Sequence, residues 1–210
     1  MAKQVAERVE TTRLNRDSRQ QQIVAACARL IATKGYADTS IRDVAGEVGI
    51  STGTLLHHFE SKEHLLTATL LDTAQTFLER MKASARARDP RAQLRGIVTA
   101  LLGESDAVDI GWKVWIAFWH EAAIHPELGR MANQLTAQSE GILADIIRRG
   151  VKQGTFDCPD PQESAEELGA LIDGVAIRVY GEQGGWSHQR AIATVLKRVD
   201  SWRLPAKAVK

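Results

Sequence analysis

A chain of 210 residues, 44% of them hydrophobic, carries enough apolar material for one large or two small buried cores, which excludes wholesale disorder. Lys and Arg number 27 against 26 Asp and Glu, a net charge of +1, so affinity for a polyanion must come from a local patch and not from bulk charge. No apolar run reaches the roughly 18–20 residues needed to cross a bilayer. The N-terminus lacks a signal-peptide core, and the two distant cysteines, Cys27 and Cys158, show no metal-ligand spacing, so a reducing, cytoplasmic setting without a membrane partner is expected.

The first fifteen residues mix charge with small side chains and carry no sustained apolar stripe, which predicts a flexible arm over 1–15, made basic by Arg8 and Arg13 with Arg16 and Arg19 just beyond. From Ser18 the residues Ile23, Cys27, Leu30 and Ile31 recur at spacings of three and four, and the run stops at Lys34-Gly35, as a helix does. Ser40 and Asp43 have the spacing of a capping box, and Ile41, Val44, Ala45 and Val48 line one face of the short helix that follows. After Gly49-Ile50, Ser51 caps a second short helix, and Ser61 caps a long one over 62–84 whose apolar positions include Leu65, Leu66, Leu70, Phe77, Leu78 and Met81. Further helices are predicted at about 90–103, 109–124, 127–153, 161–181 and 188–202, separated by Gly103 with Asp109, His125-Pro126, Gly154 with Pro159 and Pro161, and Gly184-Gly185. No segment has the bounded alternation of a strand, so the fold class is all-α with about nine helices.

The chemistry concentrates in residues 35–66, GYADTSIRDVAGEVGISTGTLLHHFESKEHLL. Two short helices joined by a glycine-containing turn form a helix-turn-helix in which Ala45 allows close approach, Gly49 supplies the turn and Ile50 fills the gap. A short helix pair of this kind also occurs in ordinary helical cores. The adjacent His57 and His58, with His64, raise the question of a metal, but no Cys or carboxylate cluster completes a site, so neither metal nor cofactor is expected. No nucleophile–base arrangement stands above background, so no catalytic residues are assigned.

These motifs together resemble the N-terminal domain of the tetracycline-repressor (TetR) family. Gly35, Thr39 to Ile41, Val44-Ala45, Gly49 to Ser51, Gly53 to Phe59 and Ser61 to Leu66 follow in the family's order. The resemblance implies a DNA-binding domain over 16–66, continuing into the long linking helix, then a C-terminal ligand-binding and dimerisation domain over 67–204 and a tail over 205–210. It implies that the helix from Thr52 to His58 enters the major groove of double-stranded operator DNA, with Ser51, Thr52, His57, His58 and Lys62 touching phosphates or base edges. Independently, Gly53 permits close backbone approach, Thr54 offers a hydroxyl or methyl to a base edge, and Arg42 is placed to grip the backbone or a guanine. Leu56 departs from the tyrosine many relatives carry there and cannot donate a hydrogen bond.

A second concentration lies at Gly111 to Glu121, where Trp112, Trp115 and Trp119 fall three and four apart with Phe118 beside them. Such a stripe is either solid core or the wall of a ligand cavity whose aromatic faces hold a cation or a flat apolar molecule. The segment is similar to one in the choline-responsive BetI-type regulators, as is Leu171 to Arg178. Asp173 is a candidate to face that cavity, and Arg178, five residues on, a boundary or solvent. Leu168, Leu171, Ile172, Val175 and Val179, with Ile192, Val195, Leu196 and Val199, carry more apolar surface than one small bundle needs. The resemblance implies that they build a homodimer interface.

The function expected is therefore a ligand-responsive transcriptional regulator, a repressor released from a palindromic operator by an unidentified small-molecule effector. The alternatives are a helical small-molecule-binding protein or enzyme with an incidental helix-turn-helix-like core, and a dimeric adaptor that has lost ligand response.

Overall fold

The computed structural model describes the backbone of residues 2–181 and 185–202, with side chains from Ser18 onward. Among the described residues the regular structure is nine helices: α1 Ala2–Lys34, α2 Ile41–Val48, α3 Thr52–His58, α4 Lys62–Ser84, α5 Pro90–Leu102, α6 Asp106–Ile124, α7 Pro126–Lys152, α8 Pro161–Tyr180 and α9 His188–Ser201. The 205–210 tail, Gly184 and the side chains of Arg8, Arg13 and Arg16 lie outside the described residues.

Two boundaries differ from expectation. The arm expected over 1–15 is helical from Ala2, so α1 begins well before Ser18. Residues 2–34 contain neither proline nor glycine, and nothing in them interrupts a helix once begun. α6 starts at Asp106, three residues ahead of the expected start, because Ser105 caps it by accepting from the Val108 N–H at 3.3 Å.

The chain divides into two compact units, Met1–Thr73 and Ala74–Lys210, later than the expected boundary at 66/67. In the first, α1 packs on α2 and α2 on α3, around Ile23, Cys27, Ile31, Val44, Leu55, Leu65 and Leu66. Burial pushes the Cys27 thiol up to about 11, which leaves it an unreactive core residue hydrogen-bonded to Thr69. The local chemistry of the sequence is carried out as expected. Ser40 accepts from the Asp43 N–H at 3.2 Å while Asp43 accepts from the Ser40 N–H at 3.0 Å, completing the capping box. Gly49 takes the left-handed conformation at φ 71°, and the Ile50 N–H reaches back to the Ala45 carbonyl at 2.9 Å, closing α2 and aiming the chain into α3.

In the second unit α7 packs against α6 and α8, α5 against α7 and α9, and α8 against α9 and α6. Its core holds Leu94, Ile97, Val98, Leu102, Trp112, Phe118, Ile146, Ile147, Leu168 and Val195, each large side chain contributing about 1.5–3 kcal/mol of burial. None of the described helices is long and apolar enough to cross a membrane.

Candidate functional site

The first site is the exposed side of the helix-turn-helix. Arg42, Ser51, Thr52, Gly53, Thr54 and His57 are all exposed, so six of the eight residues singled out for DNA stand on the surface. The Ser51 hydroxyl accepts from the Thr54 N–H at 3.0 Å and lies 2.9 Å from the Thr54 hydroxyl, so the cap and the first turn of α3 share one hydroxyl pair. His58 and Lys62 are half-buried instead. His58 packs edge-on against His57 at 5.9 Å, and the Lys62 ammonium donates to the Ala37 carbonyl at 2.8 Å, which fixes its charge beside the segment leading into α2. Leu56 is 44% exposed, an apolar side chain on the helix that carries Thr54 and His57. Leu55, fully buried, anchors α3 from the opposite side, and Phe59 seals its end against His64 at 5.7 Å. The scaffold is held electrostatically at Asp43, whose carboxyl is kept far below the usual carboxylate range by its bond to Lys34 and then by Ser40.

The second site is a cavity of about 70 Å³ inside the second unit. Five helices line it: α4 gives Ala74, Phe77, Leu78 and Met81, α5 Leu101, α6 Trp112 and Trp115, α7 Leu135, Thr136, Ser139 and Leu143, and α8 Gly169, Ile172 and Asp173. Three rings form an aromatic corner, with Phe77 5.1 Å from Trp112 and 6.4 Å from Trp115. Behind it the Trp112 indole N–H donates to the Leu101 carbonyl at 2.6 Å and its ring stacks on Tyr180 at 6.0 Å. Tyr180 in turn lies 3.3 Å from His188 Nδ1, which sits 3.1 Å from the Leu102 carbonyl. Gly111 makes the corner possible: a Cβ there would lie 3.1 Å from the Phe77 ring, so the ring rests directly against the α6 backbone.

Asp173 is the one charged residue in this lining. Burial pushes its carboxyl up to about 6, against a hydrogen bond from Trp115 that lowers it and the nearby Glu140 carboxylate that raises it further. Thr136 adds a hydroxyl oxygen that is buried and makes no hydrogen bond with the described residues.

The cavity meets part of the aromatic set. Trp112 and Trp115 line it and are at the same time buried core, but Phe118 packs into solid core beside Trp115 at 5.5 Å. Trp119 is 37% exposed and touches the cavity only through Trp115, 6.0 Å away. Phe77, Met81 and Thr136 were missed as cavity residues. Phe77 and Met81 were visible only as apolar positions of α4, and Thr136 carried no signal. Arg178 is exposed and stacks over Trp186 at 5.5 Å, consistent with a side chain turned away from Asp173.

The apolar set on α8 and α9 divides. Leu168, Ile172, Val175, Val195 and Val199 are buried within the chain, their apolar surface already covered, so they are not available to a partner subunit. Leu171, Val179, Ile192 and Leu196 are only half-buried, and Ile177, not singled out from sequence, is 56% exposed.

Comparison with known proteins bears on both sites. Residues 23–69 match the model for bacterial regulatory proteins of the tetR family, and residues 90–203 match the C-terminal domain of BetI-type transcriptional repressors. The HTH-type transcriptional regulator BetI of Burkholderia cenocepacia is 31% identical over 166 residues, covering 78% of this chain and 82% of the relative. That of Stenotrophomonas maltophilia is 31% identical over 184 residues, covering 83% and 89%. Among solved structures, a transcriptional regulator from Saccharomonospora viridis in complex with choline superposes with a TM-score of 0.81 at 30% identity, over 88% of this chain and 96% of that one. A TetR-family regulator from a Rhodococcus species shares the fold at a TM-score of 0.78 and 23% identity, over 90% and 100%. With a capped helix-turn-helix in one unit, an aromatic cavity in the other and a matching family model for each, the chain belongs to the tetR family of bacterial transcriptional regulators and carries a BetI-type C-terminal domain.

Proposed function

We propose that the chain works as a homodimeric repressor that leaves a palindromic operator when a small organic cation of the quaternary ammonium class occupies the cavity. The observation that carries the ligand class is the lining itself: indole and phenyl faces from Trp112, Trp115 and Phe77, one carboxylate at Asp173, and no Lys, Arg or His. Aromatic faces attract a cation through the ring quadrupole, most strongly where water is excluded, and the half-buried Asp173 carboxylate supplies the counter-charge. The choline held by the Saccharomonospora viridis relative is a molecule of this kind.

At the other end, Ser51, Thr52 and the N-terminal N–H groups of α3 suit phosphate oxygens, Lys62 adds a fixed cation, and Thr54 and His57 reach base edges. Half-buried and exposed apolar residues of α8 and α9, Leu171, Ile177, Ile192 and Leu196, supply a two-fold contact. Such a contact pairs two recognition helices for successive major grooves, about 34–36 Å apart. Helix α4 belongs to both units, and its Phe77 and Met81 line the cavity. A ligand with unequal affinity for two arrangements of α4 shifts the balance between DNA-competent and released forms, which is all that induction requires.

Selection of bound genomic fragments, followed by choline titration of the purified complex, tests the whole reading. Choline should lower operator affinity at least fivefold, the low end of ordinary allosteric coupling. Thr54→Ala should change the preferred operator, and a selection that returns no enriched sequence would refute the assignment.

A further inference from the structure

The cavity's carboxylate does not stand alone. Gly169, one helical turn before Asp173, has Glu140 of α7 lying alongside it: a Cβ on Gly169 would be in van der Waals contact with Glu140, 3.7 Å from Cγ and 3.8 Å from Oε1. Glu140, outside the lining itself, is thereby placed beside the Gly169–Asp173 wall of a cavity whose remaining lining is aromatic or aliphatic apart from the hydroxyls of Thr136 and Ser139. Glu166 lies near enough to Glu140 to repel its charge. The groups facing Asp173 are few. α7 offers Glu140, α6 the Trp115 indole N–H, and α4 and α5 contribute apolar side chains to the cavity. Arg178, on α8 itself, is exposed and occupied with Trp186. No cation from the lining neutralises the pair, so ionisation of Asp173 leaves a surplus of negative charge at the cavity, strongly desolvated at Asp173 and well solvated at Glu140. Such a charge is relieved either by a proton or by a ligand cation.

Resting on the reading that the cavity takes an organic cation, we propose that Asp173 and Glu140 form a proton-exchange pair, so that a bound ligand cation takes the place of a proton and effector affinity rises with pH. In the ligand-free protein below about pH 6 a proton rests on Asp173, held there by desolvation and by the neighbouring charge of Glu140. When a monocation seats against Trp112 and Trp115, Asp173 releases that proton to solvent and becomes the counter-ion. Net charge in the cavity is the same before and after, because one positive charge leaves and one enters. Desolvation by burial and the charge of Glu140 both act to hold the proton, which places the exchange near pH 6.

Choline is the right probe because its charge does not titrate. Isothermal titration calorimetry on the full-length protein, in buffers of different ionisation enthalpy, should show affinity about tenfold weaker at pH 5 than at pH 8. About half a proton should be released per choline at pH 6 and almost none at pH 8. The neutral carbon isostere of choline should bind without proton release. Asp173→Asn should bind choline more weakly and with the same affinity at pH 5 and pH 8, and Glu140→Gln should keep the pH dependence but move its midpoint to lower pH. Equal wild-type affinity at pH 5 and pH 8 with no proton release overturns the exchange while leaving cation binding intact. No choline binding at pH 8 overturns the cation-binding reading, and this inference with it. Carboxyl NMR of the ligand-free protein adds a check free of any ligand: Asp173 titrating near 4 would refute the pair.

Discussion

The recognition helix and the cavity are built by opposite strategies. Around α3, the caps and the turn join residues a few positions apart: Ser40 with Asp43, Ile50 with Ala45, Ser51 with Thr54. The cavity instead assembles side chains from five helices between Ala74 and Asp173, and none of its walls is complete without the others. A locally encoded surface keeps its shape when one side chain changes, so variants there alter what it contacts. A cavity made by distant residues is altered in volume, charge and stability by every substitution.

This contrast is open to direct attack, beginning where the effect is largest. Leu55→Ala, removing the fully buried anchor of α3, should cost about 2–5 kcal/mol and abolish operator binding, while choline affinity measured by calorimetry stays within twofold. Loss of choline binding as well would show that the two sites are not separable.

Asp173→Asn should act in the other direction. The folded-state carboxyl sits at about 6, above its ordinary 3.8, so the folded chain binds the proton more tightly than the unfolded one. Its ionisation therefore destabilises the fold, fully above about pH 6 and not at all below about pH 4. Urea denaturation of the ligand-free variant at pH 8 should show a gain on the order of 2–3 kcal/mol that fades as pH falls through 6 toward 4. A stability difference independent of pH would break the account of Asp173.

Smaller effects are expected in the head. Ser40→Ala removes half of the capping box and should lower the melting temperature by an amount corresponding to about 1 kcal/mol, without changing operator preference. Lys62→Ala should weaken binding to every DNA roughly equally and reduce the slope of log affinity against log salt by about one. A sequence-dependent loss would instead give Lys62 a part in base reading.

The same contrast explains what the sequence disclosed. Caps and the Gly49 turn depend on neighbours and were legible residue by residue, as were the helices they bound. The tryptophan stripe marked α6, of which the cavity takes up only part. Three rings at positions 112, 115 and 119 extend over two turns of α6, whereas the cavity meets only Trp112 and Trp115. Phe77 was plain as an apolar position of α4, yet its role depends on Gly111, thirty-four residues on, having no side chain. On α8 and α9 the apolar pattern could not divide residues covered by their own chain from those left for another. Leu168 and Leu171 look alike in sequence, but only Leu168 is fully buried within the chain. Ile177 was overlooked because it stands beside Arg178, outside the run that marks the buried face.

The contact between Phe77 and Gly111 carries an evolutionary consequence. A methyl group at position 111 would sit 3.1 Å from the Phe77 ring, closer than a relaxed contact, and the ring lines the cavity. Gly111→Ala would thus press on the aromatic corner from behind and reduce the room that an effector needs. A glycine and an alanine codon differ by one base, so a regulator of this design lies a single nucleotide away from a form whose cavity is narrowed from within and whose response is set by inheritance and not by supply.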